Sequence, residues 1–311
     1  MKARVIAYYL PQYHPIPEND KFWGKGFTEW TNVAKAKPLF KGHYQPQIPA
    51  DLGFYDLRLP EIRKAQAELA KAAGIEGFCY WHYWFGNGKK VLDMPFNEVL
   101  KSGEPDFPFC LGWANHSWTT KTWEKGKSFS KDTMIFEQLY PGKEDYEKHF
   151  YDVLPAFKDK RYITIDGRPL FIIYKPEQIV DIYQMTLYMR KRAKEEGFPD
   201  LCLAFQFPSY YADMYYREDV FDYRIEFEPV YSRNINSMKR PGTNQKVTMA
   251  RKIFGEDILS AYRKKRMNKT RSAWPKSQSL GMFFYDEMWE IILNAKWEKD
   301  FLPGCFVDWD N

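Results

Sequence analysis

Two groupings of residues in this chain have types and spacing that could do chemistry. Glu226 and Glu228 flank Phe227 in Arg224-Ile225-Glu226-Phe227-Glu228-Pro229. On a strand, residues two apart point the same way, roughly 7 Å apart along the backbone. Such a pair could serve as a general acid and a general base. The commoner arrangement for such a pair is one exposed carboxylate and one paired with a nearby arginine. The second grouping is Phe78-Cys79-Tyr80-Trp81-His82-Tyr83-Trp84-Phe85, which follows the small-residue turn Gly74-Ile75-Glu76-Gly77. A strand built only for packing favours Val, Ile and Leu, whereas Trp81, His82, Tyr83 and Trp84 bring flat faces and polar tips that need partners when buried. The stretch suits a surface on which sugar rings stack, or an aromatic-rich core.

Elements must position these groups. Short apolar runs recur at Val5 to Leu10, Gly77 to Tyr83, Pro108 to Trp113, Leu170 to Tyr174, Leu201 to Phe207, Tyr223 to Phe227 and Gly304 to Val307. Amphipathic stretches lie between them: Leu59 to Ala73 with Ile62, Ala65, Leu69 and Ala72 at helical spacing, and Ile179 to Glu196 with Ile182, Met185, Leu187 and Met189. Tyr146 to Phe157 and Tyr285 to Lys296 read the same way. Alternating strands and helices mean parallel strands joined by right-handed crossovers. The leading architecture is an α/β fold, a (β/α)8 TIM-like barrel lacking, as given, its last strand-helix unit; a doubly wound open sheet is the runner-up.

Polar and aromatic groups fall at nearly every strand's carboxyl end, where barrels build their clefts. They include Tyr9, Tyr13 and His14, then His82 and Tyr83, then Trp113, Asn115 and His116, then Tyr174, Gln206 and Asp308. No glycine-rich phosphate loop follows any strand. Trp30, Trp81, Trp84, Trp113 and Trp118 are candidates for sugar stacking, and Asn115 and Gln206 for orienting amide hydrogen bonds. Glu29, beside Trp30, either contacts a sugar hydroxyl or holds a long loop. Asp308 and Asp310 stand at a strand end or in a frayed terminus. The single domain spans residues 1–311, with an irregular loop over 11–56 and a basic, polar excursion over 232–274 containing one helix, Phe254 to Lys265.

Composition narrows the function classes. The 311 residues are 44% hydrophobic and 28% charged, which argues for a large core and against a disordered chain. Aromatic residues reach 18%, an excess that favours a protein handling ring-shaped ligands. The net charge of +5 is dispersed, and the one basic block, Arg263-Lys264-Lys265-Arg266, reads as a solvated helix end, so no nucleic-acid partner is expected. Cys79, Cys110, Cys202 and Cys305 sit singly in apolar runs, which predicts buried free thiols and a reducing compartment. Neither cysteines nor histidines have metal-ligand spacing, so no metal or cofactor is expected. No run reaches membrane-spanning length and none resembles a signal-peptide core, so the expected location is cytoplasmic.

The first loop holds Phe22-Trp23-Gly24-Lys25-Gly26-Phe27-Thr28-Glu29-Trp30-Thr31-Asn32-Val33 and then Lys37-Pro38-Leu39-Phe40-Lys41-Gly42-His43-Tyr44-Gln45-Pro46, preceded by Tyr9-Leu10-Pro11-Gln12-Tyr13-His14. With Gly77-Phe78-Cys79-Tyr80, Trp113-Ala114-Asn115, Asp159-Lys160-Arg161-Tyr162, Asp166-Gly167-Arg168-Pro169 and Pro303-Gly304-Cys305-Phe306 in order, the chain resembles the WbsX-like family of glycoside hydrolase family 99-like proteins. The likeness is dense over residues 1–180 and thin from there to about 300. It implies a (β/α)8 barrel acting on or transferring α-linked sugars in bacterial surface polysaccharide metabolism, such as lipopolysaccharide, O-antigen or capsule.

The related hydrolases carry two glutamates in an Asn-Glu-Trp-x-Glu-Gly motif on the last strand, and that motif is absent from this chain, which stops at Asn311. His116-Ser117 also stands where the resemblance implies an acidic residue, and Thr119 to Trp123 departs from an Arg-rich run. Glu226 and Glu228 are therefore the candidate catalytic pair of a hydrolase or transferase whose partner is an oligosaccharide or a glycosyl donor or acceptor. The alternative is a non-catalytic saccharide-binding protein or a remnant. An interrupted barrel leaves open edges, so a homodimer across the gap is a further expectation.

Overall fold

The computed structural model describes residues 3–38, 42–119, 133–207, 220–232, 285–296 and 299–307. They fall into two compact units: the first comprises the described residues up to Gln206 with 220–223, the second Phe207 and those from Arg224 on. In the first, the apolar runs become β1 (Ile6–Tyr9), β2 (Gly77–His82), β3 (Phe109–Trp113), β7 (Arg168–Ile173) and β8 (Cys202–Phe207). Two hairpins contribute the short strands β4 (Trp118–Thr119) with β5 (Met134–Phe136), and β6 (Thr164–Ile165) with β7. The five main strands pair in parallel, in the order β1-β2-β3-β7-β8. That order follows the chain without reversal, so there is no topological switch point, and the doubly wound alternative is excluded. The arrangement is that of an incomplete (β/α)8 barrel.

The crossovers carry α3 (Pro60–Ala72), α4 (Met94–Ser102), α5 (Lys143–Phe157) and α6 (Ile182–Glu195). Periodicity located three of these and placed Met185 and Met189 of α6 correctly inside, but it misjudged part of the buried face of α3 and α6. On α3 the buried residues are Arg63 and Ala67, while Leu69 is exposed. Arg63 turns its guanidinium into the fold, where it donates to the carbonyls of Leu57 (2.6 Å) and Arg58 (3.1 Å). A cation thus does what an apolar side chain was expected to do, because two loop carbonyls needed donors. On α6, Met185, Thr186, Met189 and Ala193 are buried and Leu187 is exposed. The loop over 11–56, expected to be irregular, holds two short helices, α1 (Pro17–Trp23) and α2 (Glu29–Lys35). Thr28 caps α2: its hydroxyl accepts from the Trp30 N–H, and the Thr31 hydroxyl accepts from the Thr28 N–H.

Polar anchors fix the sheet. The Tyr162 hydroxyl accepts from the Leu111 N–H (3.1 Å) and donates to the Leu170 carbonyl (2.8 Å), tying β3 to β7. Asp222 accepts from Arg168, Arg190 and the Leu203 N–H at 2.6 to 2.8 Å, so its charge is matched on all sides. Cys79, Cys110 and Cys202 are buried free thiols, but Cys305 is exposed, against expectation.

In the second unit β9 (Tyr223–Glu226) pairs in parallel through Arg224 and Ile225 with β10 (Phe301–Leu302). Arg224 grips Asp300 with two hydrogen bonds of 2.8 and 3.0 Å and lies over the Phe301 ring. The strand expected over Gly304 to Val307 is displaced to Phe301–Leu302, since Pro303 has no N–H with which to extend a ladder. Helix α7 (Tyr285–Leu293) buries Met288 and Ile292. The excursion over 233–274 and its expected helix lie outside the described residues, as do Asp308 and Asp310.

Gly77 shows how tightly β2 is set. A Cβ there would lie 2.4 Å from the Pro108 carbonyl oxygen, which accepts the Phe78 N–H. Backbone cannot yield as a side-chain tip can. Gly77→Ala is expected to destabilise the fold by about 3 kcal/mol, the upper part of the overpacking range, measured by denaturant unfolding.

Candidate functional site

Parallel register sorts the strand residues between two faces. Residues paired across the sheet share a face, and here Tyr9 pairs Tyr80, and His82 pairs Trp113, which in turn pairs Ile173. This face meets the helices. The Tyr9 hydroxyl donates to Gln66 of α3 (2.6 Å), Tyr80 meets Phe96 of α4, and His82 meets His149 of α5 with ring nitrogens 3.0 Å apart. Burial pushes His82 down to about 4 and His149 well below its usual value, so both rings are neutral at pH 7.

Trp84 stacks on His149 and donates to Asp145, and Trp113 donates to the Trp84 carbonyl. Trp118 packs in a cluster with Tyr83, Phe85 and Phe136. Trp84, Trp113 and Trp118 are thus core.

The opposite face carries Tyr8, Cys79, Cys110, Trp81 and Gly112. Gly112 makes room: a Cβ there would press on Cys79 Sγ at 3.0 Å and on the Trp81 ring at 3.2 Å. Trp81 stacks on Tyr8, centroids 4.9 Å apart, and meets Tyr174 edge-on, and His116 also meets Tyr174. Burial and the neighbouring Lys175 push His116 down to about 4. Gln206 is fully buried with no hydrogen-bonding partner for its amide, and it faces the Tyr8 hydroxyl. Trp81, Tyr174, His116 and Gln206 therefore share one face, joined by Tyr8, which the sequence analysis passed over. The available signal was alternation: Tyr8, not Tyr9, is in phase with Trp81.

Asn115 is fully buried and spent on structure. Its Oδ1 accepts from the Lys175 N–H and its Nδ2 donates to the Lys175 carbonyl, both at 2.7 Å, so one side chain continues the β3–β7 ladder past the strand ends. His14 is buried with neither ring nitrogen partnered, and burial lowers its pKa.

Beyond the ends of β1 and β2, Tyr83 accepts from the Gln12 amide (2.9 Å), and the Glu29 N–H donates to the Gln12 carbonyl. Glu29 is the first residue of α2, and burial pushes its carboxyl up to about 7, with the Asn32 side chain opposing. Trp30 donates to the Tyr55 carbonyl (2.7 Å) within a group of rings formed by Tyr13, Phe54 and Tyr55. Tyr8, Tyr13 and Tyr55 also line an open groove of about 470 Å³.

In the second unit, Glu226 and Glu228 are both buried. Neither is exposed and neither pairs with Arg224, whose guanidinium is held by Asp300. Burial, reinforced by Glu228 and opposed by the Tyr231 side chain, pushes the Glu226 carboxyl up to about 8. Glu228 is also raised by burial, but the Ser232 N–H (3.1 Å) favours its ionised form and opposes the shift. Gly304 backs against this pair, with space for a Cβ only 2.1 Å from the Glu226 carbonyl oxygen. No group of three or more His, Cys, Asp or Glu residues that could hold a metal ion occurs among the described residues. No helix among them is long and apolar enough to cross a membrane.

Residues 5–311 match the family model described as Glycosyltransferase WbsX. The chain belongs to this family. Two relatives, each the uncharacterized protein WxcX of Xanthomonas campestris pv. campestris, are 35% and 37% identical over 263 residues, 83% of this chain. The chain spans 35% of the length of these curated relatives. Similar solved structures include a GH99 endo-alpha-mannosidase from Bacteroides thetaiotaomicron, with TM-score 0.43, 14% identity, and 76% of this chain and 67% of that one covered. A glycoside hydrolase-like protein gives TM-score 0.47 at 14% identity, covering 75% of this chain and 62% of the other.

Two outcomes follow from the geometry of this WbsX family member. Asn115→Ala leaves the half-buried Lys175 backbone groups without their Asn115 partners and is expected to cost about 1–3 kcal/mol in denaturant unfolding. Glu226 holds a proton in the folded state that the unfolded chain releases near its ordinary 4.5. Its contribution to stability is therefore full below about pH 4.5 and lost as pH rises towards 8. Thermal melting should show that fall in the wild type, and Glu226→Gln should flatten that part of the profile.

Proposed function

We propose that this chain is a carbohydrate-active catalytic module that acts on or transfers α-linked sugars in bacterial surface polysaccharide metabolism, with Glu226 as general acid and Glu228 as its ionised partner. One observation carries the reading: two buried carboxyls two residues apart are both raised by burial, Glu226 to about 8, while the Ser232 N–H opposes the shift of Glu228. Burial, with the neighbouring Glu228 and against the opposing Tyr231 side chain, leaves Glu226 protonated at neutral pH. Glycosidic chemistry needs such a division of labour, one carboxyl donating to the leaving oxygen and the other activating or replacing a nucleophile. Membership of the WbsX glycosyltransferase family supports the substrate class.

The aromatic face of the first unit supports saccharide binding. Trp81, stacked on Tyr8 with Tyr174 edge-on, forms an aromatic group whose Tyr8 hydroxyl meets the amide of Gln206. Flat apolar surface with a few polar groups at its margin is what sugar rings bind. Among the described residues β1 has a strand partner on one side only, and a homodimer through that edge belongs to the same proposal.

The test is turnover of α-mannosides and of oligosaccharides released from bacterial lipopolysaccharide, measured for the wild type and for Glu226→Gln and Glu228→Gln. Each variant is expected to lose about 10²–10⁴-fold in rate while still binding the oligosaccharide. Full activity in both variants would remove the pair from the mechanism. Binding without turnover in the wild type would favour a saccharide-binding role.

A further inference from the structure

Cations that leave bulk water in this fold are met by carboxylates. Lys90 reaches Asp152 at 2.6 Å, Arg161 reaches Asp159 at 2.7 Å, and Arg168 and Arg190 share Asp222 at 2.6 and 2.8 Å. Lys175 departs from the pattern. It is half-buried, yet among the described residues no carboxylate lies within ion-pair distance of its ammonium and no oxygen accepts from it. Burial lowers its pKa, and the exposed Glu177 opposes that shift from beyond ion-pair distance. An ammonium has three donors to satisfy, and partial desolvation makes leaving them unmet costly.

The fold holds this cation in place. Asn115, just past β3, accepts from the Lys175 N–H and donates to its carbonyl, both at 2.7 Å, so the backbone of Lys175 is clamped at the carboxyl end of β7. The side chain lies over the Tyr174 ring, with Nζ 5.2 Å from the centroid. A phenol face attracts an ammonium but replaces only part of what an anion would give it. The same ring meets Trp81 at 5.6 Å and His116 at 5.3 Å, and Trp81 stacks on Tyr8. His116 is neutral at pH 7, because burial and Lys175 push it down to about 4, so Lys175 supplies the positive charge of the group. A ligand can reach these side chains: Tyr8 is 38% exposed, and Trp81, His116 and Tyr174 are half-buried.

We propose that Lys175 is the anion-recognising residue of the aromatic group formed by Tyr8, Trp81 and Tyr174, and that the sugar unit bound there carries a carboxylate or a phosphate. This rests on the reading of the chain as carbohydrate-active and names the substrate class: an acidic saccharide rather than a neutral one. The ammonium donates to the anion, which supplies the charge that the protein withholds, while the rings pack against the apolar parts of the sugar. Discrimination follows from the same shortage, since a neutral sugar leaves the half-desolvated ammonium unmatched.

The experiment is isothermal titration calorimetry on the full chain carrying Glu226→Gln to suppress turnover, with two matched pairs of ligands. One pair is α-linked digalacturonic acid and its methyl ester; the other is α-linked mannobiose with and without a 6-phosphate. Inorganic phosphate alone is the fifth ligand. The acidic member of at least one pair is expected to bind about 10–100-fold more tightly than its neutral partner, and to weaken between about 0.05 M and about 0.5 M sodium chloride while the neutral partner does not. The pair that shows the preference tells a uronic acid from a sugar phosphate. Adding Lys175→Met, which keeps an unbranched stem over Tyr174, is expected to bring the ratio down to about one, and Lys175→Arg to retain most of it, each variant checked by its melting curve. Equal affinities within both pairs, or a preference that survives in folded Lys175→Met, overturn the proposal and leave the carbohydrate reading standing. Inorganic phosphate binding as tightly as the sugar phosphate overturns it too, since the site would then read an anion without its sugar. Failure of all four saccharides to bind removes the carbohydrate reading as well, so the two failures are told apart.

Discussion

The register of five parallel strands governs where every side chain of the first unit points. Once Tyr8 pairs Cys79 and Cys79 pairs Cys110, every second residue on each strand is committed to one face. One row, Tyr9, Tyr80 and Leu111, goes to the helices, and the other, Trp81, Gly112 and Ile172, to the opposite side. The anchors holding this register are polar and sit at both ends of the strands. Tyr162 bridges β3 and β7 near their starts, and Asn115 continues the same ladder past their ends. Between them the sheet interior is apolar, so the backbone groups must pair with each other, and a slip would strand them.

Desolvation then sets the chemistry. Several carboxyls and imidazoles depart from ordinary behaviour chiefly through burial. Glu226 and Glu29 are raised, while His82, His149 and His116 are lowered, each with burial as the first cause. The contrast is with Asp222 and Asp300, where burial is met by arginines and the carboxylates are spent on holding strands. Carboxyls kept near neutral pKa values without a guanidinium partner are suited to exchange protons with a ligand. A carboxylate locked to a guanidinium is not.

Much of the scaffold was legible in the chain because period and punctuation are local properties. Bounded apolar runs located six strands to within two or three residues, and three of the four crossover helices followed from helical spacing. The displaced seventh run shows the limit: Phe301–Leu302 forms the strand and the stretch after Pro303 does not, a choice made by the pairing of β10 with Arg224 and Ile225. The family motifs ending in Glu29 and Trp30 pointed to a significant loop, and the capped helix α2 is what they build.

What the sequence determined by itself was the α/β repeat and the family likeness, both of which depend on residues close together in the chain. Which aromatic residues are core and which line a surface was decided by tertiary structure alone. His82 and Trp81 are neighbours in sequence, yet one lies against His149 of a helix 67 residues away and the other beside Tyr8 and Tyr174. Asn115 reads like a binding residue until Lys175 is found in its grasp. The reason is that burial and hydrogen-bond partnership are properties of the neighbours a residue acquires on folding, and those neighbours come from distant parts of the chain.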